Sequence, residues 1–233
     1  MKILYLIPAR RDSKGLPGKN IKILGDKPLI EYSINFASQN MKSDDELCIS
    51  TNDPNIIKIS ESKGFNIPFT RPEYLSNDTA TSYDVIKHAL NHYKKVNKYF
   101  DAILLLQPTS PFRTQEDFDK LLYEYDADTD MVVSVKLAKE NPYFTLFEED
   151  KGGILKKSKQ GDFERRQDCP EVYAFNGSMY LIRVKSLTNN KISEFKKIKK
   201  IIMPAERSVD IDTFEDWTRA EIMFSALERG LRP

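Results

Sequence analysis

The residues that could do chemistry are concentrated first in a basic stretch near the amino terminus, Pro8–Asn20, with the sequence PARRDSKGLPGKN. Four cations, Arg10, Arg11, Lys14 and Lys19, stand there against one acid. Its two glycines let backbone N–H groups approach a ligand closely. Cations and free amides at the carboxyl end of a strand are what a polyphosphate requires. We therefore interpret this stretch, called the basic loop below, as a phosphate-binding turn rather than a solvated surface loop.

The basic loop fits neither of two well-known nucleotide-binding patterns. Its residues follow neither Gly-x-x-x-x-Gly-Lys-Ser/Thr nor Gly-x-Gly-x-x-Gly. The chain is therefore not predicted to be a P-loop NTPase or a dinucleotide-binding dehydrogenase.

A pair of acids near the carboxyl terminus forms the second group. In the segment SVDID, an extended backbone puts Asp210 and Asp212 on one face. Carboxylates about 7 Å apart along a strand can share a hard cation such as Mg²⁺, which takes one or two carboxylates together with phosphates and water. Alternatively, Asp212 caps the last helix, because Glu215 three residues later completes the pattern of a capping box. Asp210 has no capping role, so metal binding is favoured over a pure cap.

Other candidate groups are less specific. Arg165 and Arg166 could capture a carboxylate, or they could be ordinary surface charge on an exposed segment, and the residues alone do not separate these readings. His88 and His92 stand one helical turn apart but lack a third ligand nearby, so we interpret them as helix-surface or partly buried residues. No spacing supports a Ser-His-Asp or Cys-His arrangement.

The elements that must position these residues alternate along the chain. Apolar runs predict buried strands at 2–7, 47–50, 101–106, 130–135, 176–182 and 198–203, and helices are predicted at 28–37, 54–64, 83–96, 114–125 and 214–229. This alternation predicts an α/β fold of three layers, with a mostly parallel twisted sheet and helices on both faces. Ligands of such sheets bind beyond the carboxyl ends of strands. The basic loop and the turn Gln107–Arg113 both fall there.

The alternation breaks between about 137 and 175, a segment with paired glycines and scattered lysines. We interpret it as a hairpin arm that leaves the sheet, and dimerisation or a loop function would each fit such an arm. The whole chain, 1–233, is predicted to form one domain with this arm as an insertion.

Composition narrows the class of protein further. The formal net charge is only +1, which argues against general nucleic-acid binding. No apolar run approaches the ~20 residues that a membrane span requires, and the first apolar run is too short for a signal-peptide core. Cys48 and Cys169 are typical of a reduced cytoplasmic protein. A basic loop, a polar turn beside it and a carboxylate pair together suit phosphoryl or nucleotidyl transfer.

These residues resemble the CMP-N-acetylneuraminate (sialic acid) synthetases, also called acylneuraminate cytidylyltransferases. The basic loop is the first block of the resemblance. Four blocks follow in order: Arg71-Pro72 with Asp78-Thr79-Ala80, Leu106 to Pro111, Arg166-Gln167 with Asn176-Gly177 and Tyr180, and Ser208 to Asp212. The related CMP-Kdo synthetases share Leu-Pro-Gly-Lys but usually continue with Pro, where this chain has Asn20. Phe112 stands where the family often has Leu.

The resemblance implies a Rossmann-like nucleotidyltransferase fold and a reaction. The anomeric hydroxyl of a free nonulosonic acid, a sialic-acid-like sugar, would attack the α-phosphate of CTP with Mg²⁺ present. The implied contacts are Arg10, Ser13, Lys14 and Lys19 to the triphosphate, Asn20, Arg71, Ala80 and Ser82 to the cytidine, Gln107, Arg166, Asn176 and Tyr180 to the sugar acid, and Asp210 and Asp212 to the metal. Lys14, Lys19 and Asp210 would be catalytic, and Asp210 would assist deprotonation of the sugar hydroxyl.

The resemblance also implies a homodimer whose arm reaches toward the partner's site. Alternative functions are CMP transfer to legionaminic, pseudaminic, Kdn or Kdo acids, and a nucleotide-binding module that has lost catalysis.

Overall fold

The structure of the protein, a computed structural model, describes residues 1–12 and 14–230. Within these residues the strands are β1 (Ile3–Pro8), β2 (Ile23–Leu24), β3 (Lys27–Pro28), β4 (Glu46–Ser50), β5 (Ala102–Leu106), β6 (Met131–Leu137), β7 (Phe147–Glu149), β8 (Leu155–Lys157), β9 (Tyr173–Arg183) and β10 (Ile198–Ile202). The helices are α1 (Leu29–Asn40), α2 (Pro54–Ser62), α3 (Ser82–Lys95), α4 (Gln115–Glu124), α5 (Val184–Asn189) and α6 (Phe214–Glu228).

Six strands form one sheet in the order β10-β6-β9-β5-β1-β4. Strand β1 pairs in parallel with β4 and β5, and β10 pairs in parallel with β6, whereas β9 runs antiparallel to both of its neighbours. The predicted mostly parallel sheet is confirmed. Because the central strands are covered on both faces, they are almost continuously apolar, as β5 (AILLL) shows.

The two faces of the sheet pack against different helices. Alternate residues of β1 separate the two cores: Tyr5 lies with Ile34 of α1 and Phe118 of α4, whereas Leu6 lies with Ile86 of α3 on the other face. A strand alternates its side chains between faces, so one apolar run supplies both cores. The three-layer arrangement predicted from the sequence is therefore confirmed.

A smaller third core lies beside the carboxyl ends of the strands. Trp217 of α6 packs there with Ile211, which immediately precedes that helix, and with Leu24 and Phe112. This core brings the carboxyl-terminal acid segment against the front of the chain.

The segment predicted to leave the sheet does so. Strand β6 ends at Leu137 and β9 begins at Tyr173, and between them β7 and β8 pair antiparallel as a small separate sheet. Its apolar side chains are largely exposed, with Ile154 and Leu155 at 62% and 63%. Residues 138–172 therefore contain a hairpin that lies outside the six-stranded sheet.

Several boundaries and small elements differ from the sequence prediction. Strand β9 begins at Tyr173, earlier than predicted, and the short elements β2, β3 and α5 were not predicted at all. Pairs of two-residue strands carry too little pattern to be recognised in a sequence. No helix in the described part of the chain has both the length and the apolar character needed to cross a membrane.

The turn after α4 should make the stability of the fold depend on acid pH. The ammonium of Lys199 on β10 lies 2.8 Å from a carboxylate oxygen of Asp126. This contact, together with hydrogen bonds from the Thr129 side chain and the Asp128 amide, holds the pKa of Asp126 below its ordinary value. The unfolded chain then takes up a proton at a higher pH than the folded chain. We expect the free energy of unfolding by urea to fall as pH falls below about 5, and to fall less in Asp126→Asn.

Asp128→Asn is the matched control for this prediction. Its carboxylate is 87% exposed and lies 3.9 Å from the nearest lysine nitrogen, that of Lys197. Its pH dependence should equal that of the wild type. If Asp126→Asn keeps the full acid sensitivity, the contact with Lys199 does not contribute it.

Candidate active site

A cavity of about 520 Å³ opens at the carboxyl ends of β1 and β5. Most of the predicted site residues line it: Arg10, Lys14, Lys19, Asn20, Arg71, Ala80, Ser82, Gln107, Tyr180, Asp210 and Asp212. The basic loop from the front of the chain and the aspartates from near its back therefore share one cleft. Ser13, predicted to bind the triphosphate, lies outside the described residues.

Two cations of the basic loop meet a carboxylate across the cavity. Arg10 and Lys14 contact the two oxygens of Asp78 at 2.9 and 2.6 Å. The Lys14 contact, followed by that of Arg10, holds the pKa of Asp78 below its ordinary value. One carboxylate thus bridges two cations in the way a phosphate would. Arg11, in contrast, is exposed and is not among the residues lining the cavity.

Lys19 connects the basic loop to the acid segment. Its ammonium donates to Asp212 Oδ1 at 2.7 Å and to the carbonyl of Ile211 at 2.9 Å. Gly15 makes this close approach possible, because a Cβ atom there would lie 2.2 Å from the carbonyl oxygen of Asp212. The two segments are therefore packed backbone against backbone, which fixes the distance between the cations and the aspartates.

Asp210 stands in the wall of the cavity against Gly177 of β9. A Cβ at Gly177, where φ is +76°, would lie 2.9 Å from Asp210 Oδ2, so this position requires glycine. Burial raises the pKa of Asp210, as do Asp212 and Asp216, whereas the side chain of Thr109 and Lys19 lower it. Asp210 is nevertheless open to the cavity, and a carboxylate beside a second one is a favourable place for a cation.

The alternative role of Asp212 as the helix cap is wrong. Thr213 caps α6, and its hydroxyl and backbone amide exchange hydrogen bonds with Asp216. The predicted pairing of Asp212 with Glu215 is thus displaced by one residue. Asp212-x-x-Glu215 and Thr213-x-x-Asp216 overlap in the sequence, and both Asp and Thr are favoured capping residues. Because Asp212 is not the capping residue, both aspartates can face the cavity.

The donor set fits a hard divalent cation. In the described part of the chain no three His, Cys, Asp or Glu side chains form a ready-made metal cluster. A divalent cation held by one or two carboxylates and by phosphate oxygens needs no such cluster. Asp210 and Asp212 supply that number of carboxylates beside the cations of the basic loop.

Another part of the wall combines a buried amide with a helix terminus. Asn20 is only 7% exposed, its Nδ2 donates to the carbonyl of Arg10, and its Oδ1 has no hydrogen-bond partner. Ala80 and Ser82 lie at the start of α3, which is capped by Thr81. An unpaired buried acceptor is costly unless a ligand satisfies it, so Asn20 Oδ1 is suited to receive an N–H or amino group.

Arg71 and Tyr180 occupy two further positions on the wall. Arg71 donates through Nε to the carbonyl of Leu75 at 2.7 Å, and burial with the nearby Arg10 lowers its pKa to about 10. Burial, together with Asp210, raises the pKa of Tyr180, so this phenol stays protonated at neutral pH. Gln107 lies with Tyr180 among the lining residues.

Two predicted sugar-acid contacts are not on the wall. Asn176 is buried beneath the cavity, where it donates to Ser208 Oγ at 2.9 Å and accepts from Ser134 Oγ at 2.7 Å. Its amide therefore positions the start of the acid segment. Arg166 is exposed on the arm, donates to the carbonyl of Lys139, and is not among the lining residues of the cavity of its own chain.

Sequence reasoning gave no role to two residues that the site uses. Asp78 was part of a recognised block, but its contact with both basic-loop cations depends on the tertiary fold. Thr109 lies on the wall, and its carbonyl accepts from the Ile211 amide at 2.9 Å. The only indication of Thr109 in the sequence was its place in a turn of polar residues that follows a predicted strand.

The pairing of Asp78 leads to a prediction about anion affinity. A phosphate that binds Arg10 and Lys14 must displace Asp78 or share the cations with it. We expect Asp78→Asn to bind inorganic pyrophosphate about threefold to tenfold more tightly than the wild type in calorimetry, with a smaller gain at high salt. Asp12→Asn, at the one acid of the basic loop, which is exposed and is not among the residues lining the cavity, should leave the affinity unchanged. Weaker binding by Asp78→Asn would mean that Asp78 orients the cations instead.

The comparisons with known proteins agree with this geometry. A family model described as cytidylyltransferase matches residues 4–220. The chain is 32% identical over 232 residues to CMP-N,N'-diacetyllegionaminic acid synthase of Legionella pneumophila, covering 99% of this chain and 100% of that protein. It is 32% identical to N-acylneuraminate cytidylyltransferase of Streptococcus agalactiae, covering 93% of this chain but 52% of that longer protein.

A solved structure shares the fold. CMP:2-keto-3-deoxy-manno-octonic acid synthetase complexed with CTP superposes with a TM-score of 0.70 at 17% identity, covering 97% of this chain and all of that one. With a family model that spans nearly the whole length and full-length relatives above 30% identity, the chain belongs to the cytidylyltransferase family of nucleotide-transferring enzymes.

Proposed function

We propose that this protein transfers the CMP group of CTP to the anomeric hydroxyl of a nonulosonic acid of the N-acylneuraminate type, releasing diphosphate. The observation that carries the proposal is the shared cavity of Lys14, Lys19, Asp210 and Asp212. Opposite charges held at one site by unrelated segments of the chain suit a nucleoside triphosphate with a bridging cation.

The reaction forms a bond between the sugar oxygen and the α-phosphorus and breaks the α–β phosphoanhydride bond, while the hydroxyl proton leaves. Arg10, Lys14 and Lys19, together with Ser13, would hold the triphosphate and neutralise charge on the departing diphosphate. Asp210 and Asp212 would hold Mg²⁺, which supplies charge neutralisation and lowers the pKa of what it binds. Asp210, which lines the cavity beside Asp212, would help to remove the hydroxyl proton.

The remaining wall residues would orient the two substrates. Asn20 Oδ1, buried and unpaired, suits the amino group of cytosine, and Arg71, Ala80 and Ser82 would complete the cytidine pocket. Gln107 and Tyr180, which also line the cavity, would contact the sugar acid. Asn176 would act on the sugar only through the wall that it supports, since its amide bonds Ser208 and Ser134.

A second candidate substrate is a legionaminic acid. The observation that favours it is the full-length match to the Legionella synthase, at the same identity as the match to the streptococcal N-acylneuraminate enzyme. The choice depends on the acyl substituents that the wall around Gln107 and Tyr180 accepts.

Diphosphate release with CTP, Mg²⁺ and a panel of acids tests the proposal. The panel contains N-acetylneuraminic, legionaminic, pseudaminic, Kdn and Kdo acids, with UTP and ATP as nucleotide controls. We expect turnover with CTP, fastest with one nine-carbon acid, and its loss when a chelator removes the metal. Fastest turnover with Kdo would replace the proposed substrate class. Tight CTP binding with no turnover on any acid would instead favour a catalytically silent nucleotide-binding module.

A homodimer would explain where Arg166 acts. This arginine lies off the cavity of its own chain, on an arm whose hairpin exposes Ile154 and Leu155. We propose that the arm packs on a second copy and brings Arg166 to the sugar carboxylate in that copy's cavity.

The oligomeric state and mixed variants test this proposal. Light scattering should show a dimer in solution. Mixing inactive Arg166→Ala with inactive Asp210→Asn should restore activity, because mixed dimers contain one site with both residues, whereas a monomer in solution would contradict the proposal.

A further inference from the structure

Arg113 is a buried cation that the reaction as described above does not use. It lies just before α4, is 7% exposed, and belongs to no ion pair within the described residues. Burial lowers its pKa to about 9. Placing a charge inside a protein without a carboxylate is costly, so its hydrogen bonds must be good ones.

The guanidinium joins the scaffold to the turn after β5. On the scaffold side, Arg113 donates to Ser33 Oγ of α1 at 2.8 Å and to Ser178 Oγ of β9 at 3.3 Å. On the turn side, it donates to the carbonyls of Gln107 and Ser110, both at 2.6 Å. Its planar fork thus spans three elements at once, which a lysine ammonium on its flexible stem cannot reproduce.

The other side of this turn is the wall of the cavity. Gln107, Pro108 and Thr109 line it, and the carbonyl of Thr109 accepts from the Ile211 amide at 2.9 Å. Ile211 stands between the two aspartates in the sequence. The position of the turn therefore sets both the predicted sugar contact and the acid segment, whereas Arg10 and Lys14 of the basic loop are held by Asp78.

We propose that Arg113 is a positioning residue that fixes the turn 107–110, so that Gln107 meets the sugar acid and Thr109 holds the segment carrying Asp210. The expected change in kinetic constants rests on the proposed function. The expected loosening of the turn rests on the hydrogen bonds of Arg113 alone. Arg113 should therefore influence the binding of the sugar acid and the rate of the chemical step, and not the affinity for CTP.

Arg113→Lys, which keeps the charge but loses the fork, tests the proposal in steady-state kinetics. We expect the KM for the sugar acid to rise about tenfold and kcat to fall about tenfold, while the dissociation constant for CTP stays within twofold. Arg183→Lys is the matched control, because Arg183 is an arginine at the end of β9 that donates to the carbonyl of Thr129 at 2.9 Å and is not among the residues lining the cavity. The control should lose thermal stability without this change in kinetic constants.

Hydrogen exchange gives a second readout that does not need turnover. In Arg113→Lys, the amides of Ser110 and Ile211 should exchange at least tenfold faster than in Arg183→Lys. Should Arg113→Lys fail to fold, Ser33→Ala removes one anchor of the guanidinium and should show the same changes in weaker form. Unchanged exchange at both amides, or a loss of CTP affinity equal to that for the sugar acid, would overturn the proposal. Absence of turnover in the wild type would count against the proposed function alone.

Discussion

Asp210→Asn is expected to lower kcat by on the order of 10³-fold, about 4 kcal/mol of transition-state stabilisation, while the fold remains intact. The substitution keeps the size of the side chain and its place beside Gly177 but removes the negative charge that a divalent cation needs. Diphosphate release at saturating CTP and sugar acid measures the effect, and the thermal midpoint shows whether folding is retained.

Asp216→Asn is the control that separates charge at the site from charge nearby. Asp216 accepts from the backbone amides of Asp212 and Thr213 at the start of α6, outside the lining of the cavity. Losing this part of the capping box should cost about 0.5–2 kcal/mol of stability with little change in kcat. A kcat for Asp210→Asn within about threefold of the wild type would remove the metal role given to Asp210.

The second large effect is expected at the basic loop. Lys14→Ala should lower kcat/KM for CTP by about 100-fold, because a charge-assisted contact with a phosphate is lost where the other contacts cannot replace it. The loss should appear in both KM and kcat, since Lys14 would hold the bound triphosphate and also neutralise charge on the departing diphosphate. Kinetics with varied CTP at saturating sugar acid separates KM from kcat.

Arg11→Ala is the natural comparison for Lys14→Ala. Both cations belong to the basic loop and are exposed, but only Lys14 lines the cavity. The variant at Arg11 should keep kcat/KM within about twofold of the wild type. Equal losses at the two positions would indicate that the net charge of the loop matters, and not the contact made by Lys14.

The fold was largely predictable because its signals are local. An apolar run such as β5 and a capped helix such as α4 are visible in short windows of sequence, and their alternation indicates the layers. The cap of α6 was misplaced by one residue, since Asp212 and Thr213 are both good capping residues and only the backbone decides between them. The two-residue strands and the six-residue helix α5 are too short to show a period.

The charged residues of the candidate site could be predicted from the sequence, but the contacts between them could not. Lys14, Lys19 and Asp210 stand out by residue type, and the structure places them in one cleft. The bridge through Asp78 and the bonds from Arg113 to Ser33 and Ser178 join segments far apart in the chain, so no local pattern predicts them. Arg166 was assigned to the sugar by resemblance, although its own chain holds it on the arm.

The most direct test of the central claim is a crystal structure of the wild-type protein with CTP and Mg²⁺ bound. The account predicts triphosphate oxygens within hydrogen-bond distance of Lys14 Nζ and Lys19 Nζ, and Mg²⁺ about 2.1 Å from a carboxylate oxygen of Asp210 and from an α-phosphate oxygen. CTP bound outside the cavity, or a metal that contacts the triphosphate but neither aspartate, would contradict it.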